Sequence, residues 1–409
     1  MKINPNIPKY RALLDAYLSV CESDIMKYAE KEKQLILPIP EQDLLQKLFQ
    51  EVKNLFMAES TMLEIRSPCI IVGDIHGHLL DLLRIIQNFG LPGPIRYVFL
   101  GDLIDRGEFS IETLIIVFLL KVLFPTRVFI IRGNHEFATL CSQCGFLSQM
   151  FAFFGDMLLY YLSIQTFEYI PLAALIDKQI LCIHGGLDPN LNNVDQIRSV
   201  KRPISEFTGD FIDSLVWSDP TDNIDDFEVS SRGSGYTFGC KALKSFLSSS
   251  KIEMLVRGHE CVFNGCKYHF DGRLVTVFSA SNYCGMVGNE AGVLVIHSPM
   301  NYEAKTFPPL KWLLRTEVTF ISMKSNVTKK VITKSEIIRT KKTRESASTR
   351  PLHPIVTAPM KETTNSARQL PKLEQNQSPR KEQKRTQQRT RITKLTRHAG
   401  TPKLLFQFS

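Results

Sequence analysis

The 409-residue chain is 44% hydrophobic and 22% charged, an ordinary globular mixture that excludes fibrous, collagen-like and wholly disordered classes. Its net charge of +9 is unevenly spread: residues 321–409 hold 21 Lys and Arg against 5 Asp and Glu, a local +16 that leaves the first 320 residues at −7. A mildly acidic folded body with a basic appendage follows. The longest apolar run, 114–120, is stopped by Lys121, far short of the ~18 residues of a membrane span.

Residues 1–40 read as a partly helical extension without the apolar stretch of a secretory leader, so the nine cysteines are expected as reduced thiols of a cytoplasmic or nuclear protein. From 41 to 56, Leu44, Leu45, Leu48, Phe49, Val52, Leu55 and Phe56 recur at helical spacing behind Pro38-Ile39-Pro40. Three short apolar runs then end in Gly-containing polar clusters: 69–72 before Gly73-Asp74, 97–100 before Gly101-Asp102, and 128–131 before Gly133-Asn134. Helical patterns over 79–89 and 110–123 lie between them, which gives strand, loop and helix in repetition, the α/β class. Runs at 180–183, 254–256, 274–278 and 292–296 supply a second sheet. After Leu310 the pattern dissolves, and 321–409 has too few apolar residues to offset backbone entropy, so a disordered tail is predicted.

Buried strands that deliver polar loops to one sheet edge build sites in α/β enzymes. Here the loops carry metal-ligand residue types: Asp74 and His76 in Gly73-Asp74-Ile75-His76-Gly77, Asp102 and Asp105 in 101–107, Asn134 and His135 in Gly133-Asn134-His135-Glu136. His184, Arg232 and His259 follow in their own Gly-containing clusters. Mixed oxygen and nitrogen donors without thiolate suit a pair of Mn, Fe or Zn ions better than a structural zinc. A carboxylate between two ions can bridge them, and two metals clamp a phosphoryl oxygen and activate water.

Taken together with Ser279-Ala280-Ser281-Asn282-Tyr283-Cys284, these ordered motifs resemble the phosphoprotein phosphatase family of metal-dependent serine/threonine phosphatases over about residues 40–310. Stretches 215–220 and 236–239 are similar to its type 1 branch. The resemblance implies a calcineurin-like metallophosphoesterase fold, two mixed β-sheets sandwiched and flanked by helices, with a catalytic domain at 41–310. It implies that Asp74, His76 and Asp102 hold one divalent ion and Asp102, Asn134, His184 and His259 the other, with Asp102 as the bridge. Arg106 and Arg232 would grip phosphate, helped by Asn134 and Tyr283; His135, oriented by Asp105, would protonate the leaving oxygen. The implied step is direct in-line attack of metal-bound hydroxide on phosphoserine or phosphothreonine, without a phosphoenzyme. Manganese is expected in vitro and iron or zinc in the cell. Expected partners are phosphoprotein substrates and regulatory subunits, with no membrane and at most weak contact of the tail with nucleic acid.

Several positions depart from the family. Phe137 stands where cysteine is common and Ser281 where proline is usual. The loop after Cys284 is less acidic and one residue longer, and 301–307 replaces a more apolar strand that docks regulatory subunits in type 1 enzymes. Two rival functions remain: a nucleotide or nucleic-acid metallophosphoesterase, and a non-catalytic scaffold. Against the first, His259 is followed by Glu260 and Cys261 rather than by a second ligating histidine two residues on, and Arg232 adds a phosphate clamp. His78 and His269 read as surface or supporting residues, and the Cys141 and Cys144 pair as ordinary thiols despite its redox-motif spacing. In the tail, Ser378-Pro379 and Thr401-Pro402 look like proline-directed kinase sites whose phosphates would reach the site arginines as a pseudosubstrate.

Overall fold

The computed structural model describes residues 4–207 and 211–323. Its core helix, Ser110–Leu123, is apolar on every side and accordingly buried from Ser110 to Val122. Around it pack Ile7–Leu18, which buries Tyr10, Leu13, Leu14 and Tyr17, and Gln42–Ala58, which buries the stripe Leu45, Leu48, Phe49, Val52 and Phe56. Ahead of the second of these helices, residues Ile36–Ile39 form a strand that pairs in parallel with Thr319–Ser322. The folded part therefore runs past Leu310 and includes 321–322, which composition alone assigned to the tail. Residues 324–409, with the expected disorder and both proline-directed positions, lie outside the described residues.

One continuous ladder joins ten strands, and an eleventh branches from it. In spatial order it runs Met62–Ile65, Ala173–Ile176, Ile180–Ile183, Met254–Arg257, Leu274–Val277, Asn264–His269, Glu290–Ser298, Cys69–Val72, Arg96–Phe99 and Val128–Ile130. Asn301–Phe307 pairs antiparallel with Glu290–Ser298. The two halves meet where Asn264 and Gly265 pair with Glu290 and Ala291, and they pack face to face. Leu63, Cys182 and Val256 of one half share a buried cluster with Ile71, Val98 and Leu294 of the other. The result is the expected sandwich of mixed sheets, with helices on its outer faces.

Within each half the strands that carry the candidate residues run in parallel: Cys69–Val72 with Arg96–Phe99 with Val128–Ile130, and Ile180–Ile183 with Met254–Arg257. Their carboxyl ends open on one rim, tied together by a bridge between Asp74 and Phe278. No helix among the described residues is long and apolar enough to cross a membrane.

Candidate metal centre and phosphate site

Three of the rim loops leave their strands through tight backbone, where His76, Asp102, Asp105, Arg106 and His259 all adopt left-handed φ between 45° and 70°. Glycines permit the close approaches this requires. A Cβ on Gly133 would stand 2.2 Å from Asp102 Oδ1, and one on Gly258 2.3 Å from Asp74 Oδ1. The outcome is a buried cluster of Asp74, His76, Asp102, Asn134, His135 and His184, with half-buried His259 at its edge.

Ligand-type atoms of Asp102, His184 and His259 lie within 4.8 Å of one another, as do those of His76, Asp102 and His135. Asp102 belongs to both groups. His76 Nδ1 is 2.8 Å from the Ile104 carbonyl and His184 Nδ1 is 2.8 Å from the Leu100 carbonyl, so each Nδ1–H donates and each Nε2 carries a lone pair. Both Nε2 atoms sit 3.4 Å from Asp102 Oδ2. Lone pairs facing a carboxylate repel unless a cation or a proton lies between them. His259 Nε2 is buried and has no hydrogen-bond partner. Asn134 Oδ1 faces His184 Nε2 at 3.1 Å, an acceptor toward an acceptor, whereas the reversed amide would donate to both Asp102 oxygens. The oxygen-inward orientation is the one a cation ligand requires, and the donor set fits two divalent ions.

The electrostatics say the same. Burial pushes the Asp74 carboxyl up to about 7 and the His76 imidazole down to about 3. At His184 burial opposes charge, but Asp102 outweighs it and raises the group to about 9. Asp102 itself is buried, yet His184, His135 and His76 hold it well below the usual carboxylate range. The protein alone balances the cluster by protonating imidazoles; divalent ions would remove that need.

His135 and Asp105 form a separate pair. His135 Nδ1 is 2.7 Å from Asp105 Oδ2, the His135 N–H donates to Asp102 Oδ1 at 2.9 Å, and Phe146 N–H donates to Asp105 Oδ1 at 2.8 Å. Burial disfavours the imidazolium, but Asp102 and Asp105 together raise its pKa above the ordinary histidine value.

Arg106 is exposed at the rim and interacts electrostatically with Tyr283, Cys144, Cys284 and Asp105. Arg232 is held at Nε by Asp219, whose other oxygen takes Arg257 Nη2 at 2.7 Å. The Tyr283 ring stacks 5.8 Å from His78 and lies tilted 5.3 Å from His76, and burial keeps it a neutral phenol. The half-buried His78 packs its ring behind Tyr283 and against Trp312, and His269 is buried with Nε2 3.1 Å from Thr276 Oγ1, so both have the supporting role that the sequence allowed them.

Sequence reasoning missed the groups that hold this arrangement. The buried Glu136 carboxylate accepts from the backbone N–H of Asp102, Leu103 and Gly133, at 2.8 to 2.9 Å. Its place three residues after Gly133 was the available signal. Phe137, the family departure, lies flat beneath the buried Arg132 guanidinium, 3.4 Å from ring centre, and Arg132 in turn holds the Glu136 carbonyl. Ser281, the other departure, gives both its N–H and Oγ–H to Asp81.

The calcineurin-like phosphoesterase family model matches residues 67–263. The chain is 40% identical over 277 residues to serine/threonine-protein phosphatase SIT4 of Candida albicans, covering 66% of this chain and 87% of that protein. It is 39% identical over 266 residues to serine/threonine-protein phosphatase PP1-1 of Saccharomyces cerevisiae, covering 64% and 85%. These near-equal identities single out no branch. A solved Saccharomyces cerevisiae serine/threonine phosphatase with similarity to human PP5 superposes with a TM-score of 0.64 at 28% identity, covering 71% of this chain and 96% of that one.

Proposed function

The chain belongs to the phosphoprotein phosphatase family of metal-dependent serine/threonine protein phosphatases, and from that premise we propose how its residues release phosphate from phosphoserine and phosphothreonine in proteins. The observation that carries the reading is that Asp102 lies between His76 on one side and His184 and His259 on the other, with His135, held by Asp105, at the same cluster. Asp74, whose Oδ2 is 3.9 Å from His76 Nε2, would hold one divalent ion with His76 and Asp102; Asp102, Asn134, His184 and His259 would hold the other. When bound, the two ions supply Lewis acidity toward a phosphoryl oxygen and lower the pKa of water. Manganese serves in vitro, and iron or zinc in the cell.

The protein supplies the rest. Arg106 and Arg232 present planar forks to phosphate oxygens, and the bond from Arg232 Nε to Asp219 leaves its outer nitrogens for that task. With Oδ1 turned inward, Asn134 offers its amide NH₂ to the same phosphate, and the Tyr283 phenol borders it. His135 gives its proton to the departing serine or threonine oxygen, while Asp105 accepts from Nδ1 and so fixes the ring and its charge. Two relatives are named as catalytic subunits, and this chain too would act with regulatory subunits that choose its substrate. The polar edge strand Asn301–Phe307 argues against the type 1 docking mode. Nine unpaired cysteines suit the cytoplasm or nucleus.

The test is turnover of a phosphothreonine peptide, a phosphotyrosine peptide and bis(p-nitrophenyl) phosphate, with Mn²⁺ or with chelator, by wild type and His135→Asn. Metal-dependent release from the phosphothreonine peptide, lost in the variant, is expected. Preference for the diester, or silence on all three, overturns the reading.

A further inference from the structure

Cys144 has no role in the chemistry above, yet it stands beside it. A sulfur, a carboxylate oxygen and a ring nitrogen from Cys144, Asp105 and His135 all lie within 4.8 Å of one another. Two hydrogen bonds tie the segment that carries Cys144 to the loop that carries Asp105: Arg106 N–H donates to the Cys144 carbonyl at 3.1 Å, and Phe146 N–H donates to Asp105 Oδ1 at 2.8 Å. Cys141, its partner at redox-motif spacing, is buried with its sulfur 3.7 Å from the Tyr160 hydroxyl. Cys144 is only half-buried.

We propose that Cys144, His135 and Asp105 form an inhibitory site for a thiophilic divalent cation of the zinc type, distinct from the catalytic pair that Asp102 bridges. One thiolate, one imidazole and one carboxylate are a donor set that a borderline-soft d¹⁰ ion accepts, with a fourth position left to water. Ligands on a tetrahedral zinc stand roughly 3.3–3.7 Å apart at usual bond lengths, so the Cys144 sulfur needs to close by about an ångström at most, while His135 Nδ1 and Asp105 Oδ2, 2.7 Å apart, part to admit the ion. The two groups around Asp102 contain no sulfur. Hard manganese therefore prefers those, and zinc or cadmium gains from Cys144.

Binding is an exchange without redox chemistry. The cation replaces the Cys144 thiol proton and the proton shared by His135 and Asp105, and both protons leave to solvent. Two anionic ligands offset the nearby Arg106 charge. Turnover then falls because His135, bound through Nδ1 and no longer charged, keeps only the Nε2 proton of a neutral imidazole, a far weaker acid toward the leaving oxygen than the imidazolium that Asp105 sustains. That consequence rests on the role given to His135 above, whereas the binding itself does not.

The experiment uses the full chain loaded with Mn²⁺. Cadmium serves as the spectroscopic probe through its thiolate charge-transfer absorption in the ultraviolet, and Zn²⁺ is titrated against phosphopeptide turnover. Cys144→Ser and Cys144→Ala are expected to keep basal turnover, to lose one thiolate increment of the cadmium band, and to need at least ~10-fold more zinc for half-inhibition. His135→Asn is expected to weaken cadmium binding without removing the thiolate band at saturation. Equal zinc sensitivity in wild type and both Cys144 variants, or an unchanged cadmium band in them, overturns the proposal. Basal turnover of His135→Asn on its own tests the proton-donor reading, so failure of one is distinguishable from failure of the other.

Discussion

Replacing Asp105 by asparagine isolates the proton donor from the rest of the site. The side chain keeps its shape, and an amide oxygen can still accept from Phe146 N–H, which now bonds Asp105 Oδ1 at 2.8 Å. What is lost is the charge 2.7 Å from His135 Nδ1. A neighbouring carboxylate favours the imidazolium, so its removal lowers the His135 pKa, which Asp102 and Asp105 raise against the effect of burial. The alkaline limb of the rate, where the proton donor is exhausted, therefore moves to lower pH in Asp105→Asn. Because general acids contribute ~10²–10⁴-fold, the variant forfeits about 2.7–5.4 kcal/mol of transition-state stabilisation toward a serine or threonine leaving group. Toward p-nitrophenyl phosphate, whose leaving group needs little protonation, the loss is far smaller. The assay compares kcat for a phosphothreonine peptide and for p-nitrophenyl phosphate across pH, at saturating Mn²⁺. Equal losses on both substrates, or an alkaline limb that does not move, would refute the assignment of His135 as proton donor.

Gly133→Ala drives a methyl group into Asp102 Oδ1, 2.2 Å from the ideal Cβ, and is expected to lower metal affinity by ~10–100-fold while the far-ultraviolet circular dichroism stays unchanged; metal analysis after gel filtration reads this directly. Arg106→Lys and Arg232→Lys keep the charge but lose the planar fork, so each is expected to lower kcat/KM by ~10–100-fold, the worth of one hydrogen bond to a charged group. Arg315 binds the buried Glu112 through two hydrogen bonds of 2.7 Å, and Arg315→Met is expected to cost ~3–5 kcal/mol in urea unfolding because it strands that carboxylate.

What could be read ahead of the structure follows burial. Strands buried on both faces are continuous apolar runs, and those at Cys69–Val72 and Ile180–Ile183 were visible with their ends. The helices Leu79–Phe89 and Ser110–Leu123 were likewise visible. Asn264–His269 was not, since much of the strand faces solvent and polar residues blur the alternation, and Asn301–Phe307, with no buried residue, was located only through the family resemblance. The pairing of Ile36–Ile39 with Thr319–Ser322 joins residues nearly three hundred positions apart, which no local pattern encodes. The same division runs through the site. Metal-ligand types at strand ends announce themselves, because such groups are costly to bury without a partner. The supports are long-range. Asp219 is recognisable as the holder of Arg232 only once Arg257 is seen on its other oxygen. Trp312 matters only because the chain beyond Leu310 folds back, so that its ring lies within 3 Å of where Gly285 would carry a side chain.

The positions that carry the candidate chemistry are also the positions where the backbone is least comfortable. His76, Asp102, Asp105, Arg106 and His259 all lie in the left-handed region, at roughly 1–2 kcal/mol each for residues with a side chain. Such conformations persist only where their surroundings over-determine them. Glu136 shows how this is done: a buried carboxylate accepts three backbone N–H groups, and two of them belong to the strained turn that bears Asp102. Burial and the nearby Asp102 charge push Glu136 up to about 7, so its ionised form is itself sustained by those N–H donors and by neighbouring positive charge. Strain in the Asp102 turn and the electrostatic cost of Glu136 are thus settled together. A neutral polar residue at 136 could satisfy fewer of the same donors, and the turn would relax toward ordinary backbone. Asp102 would then shift from the point where the two ligand groups meet, because that turn, together with the His135 N–H on Oδ1, sets the direction of its carboxylate.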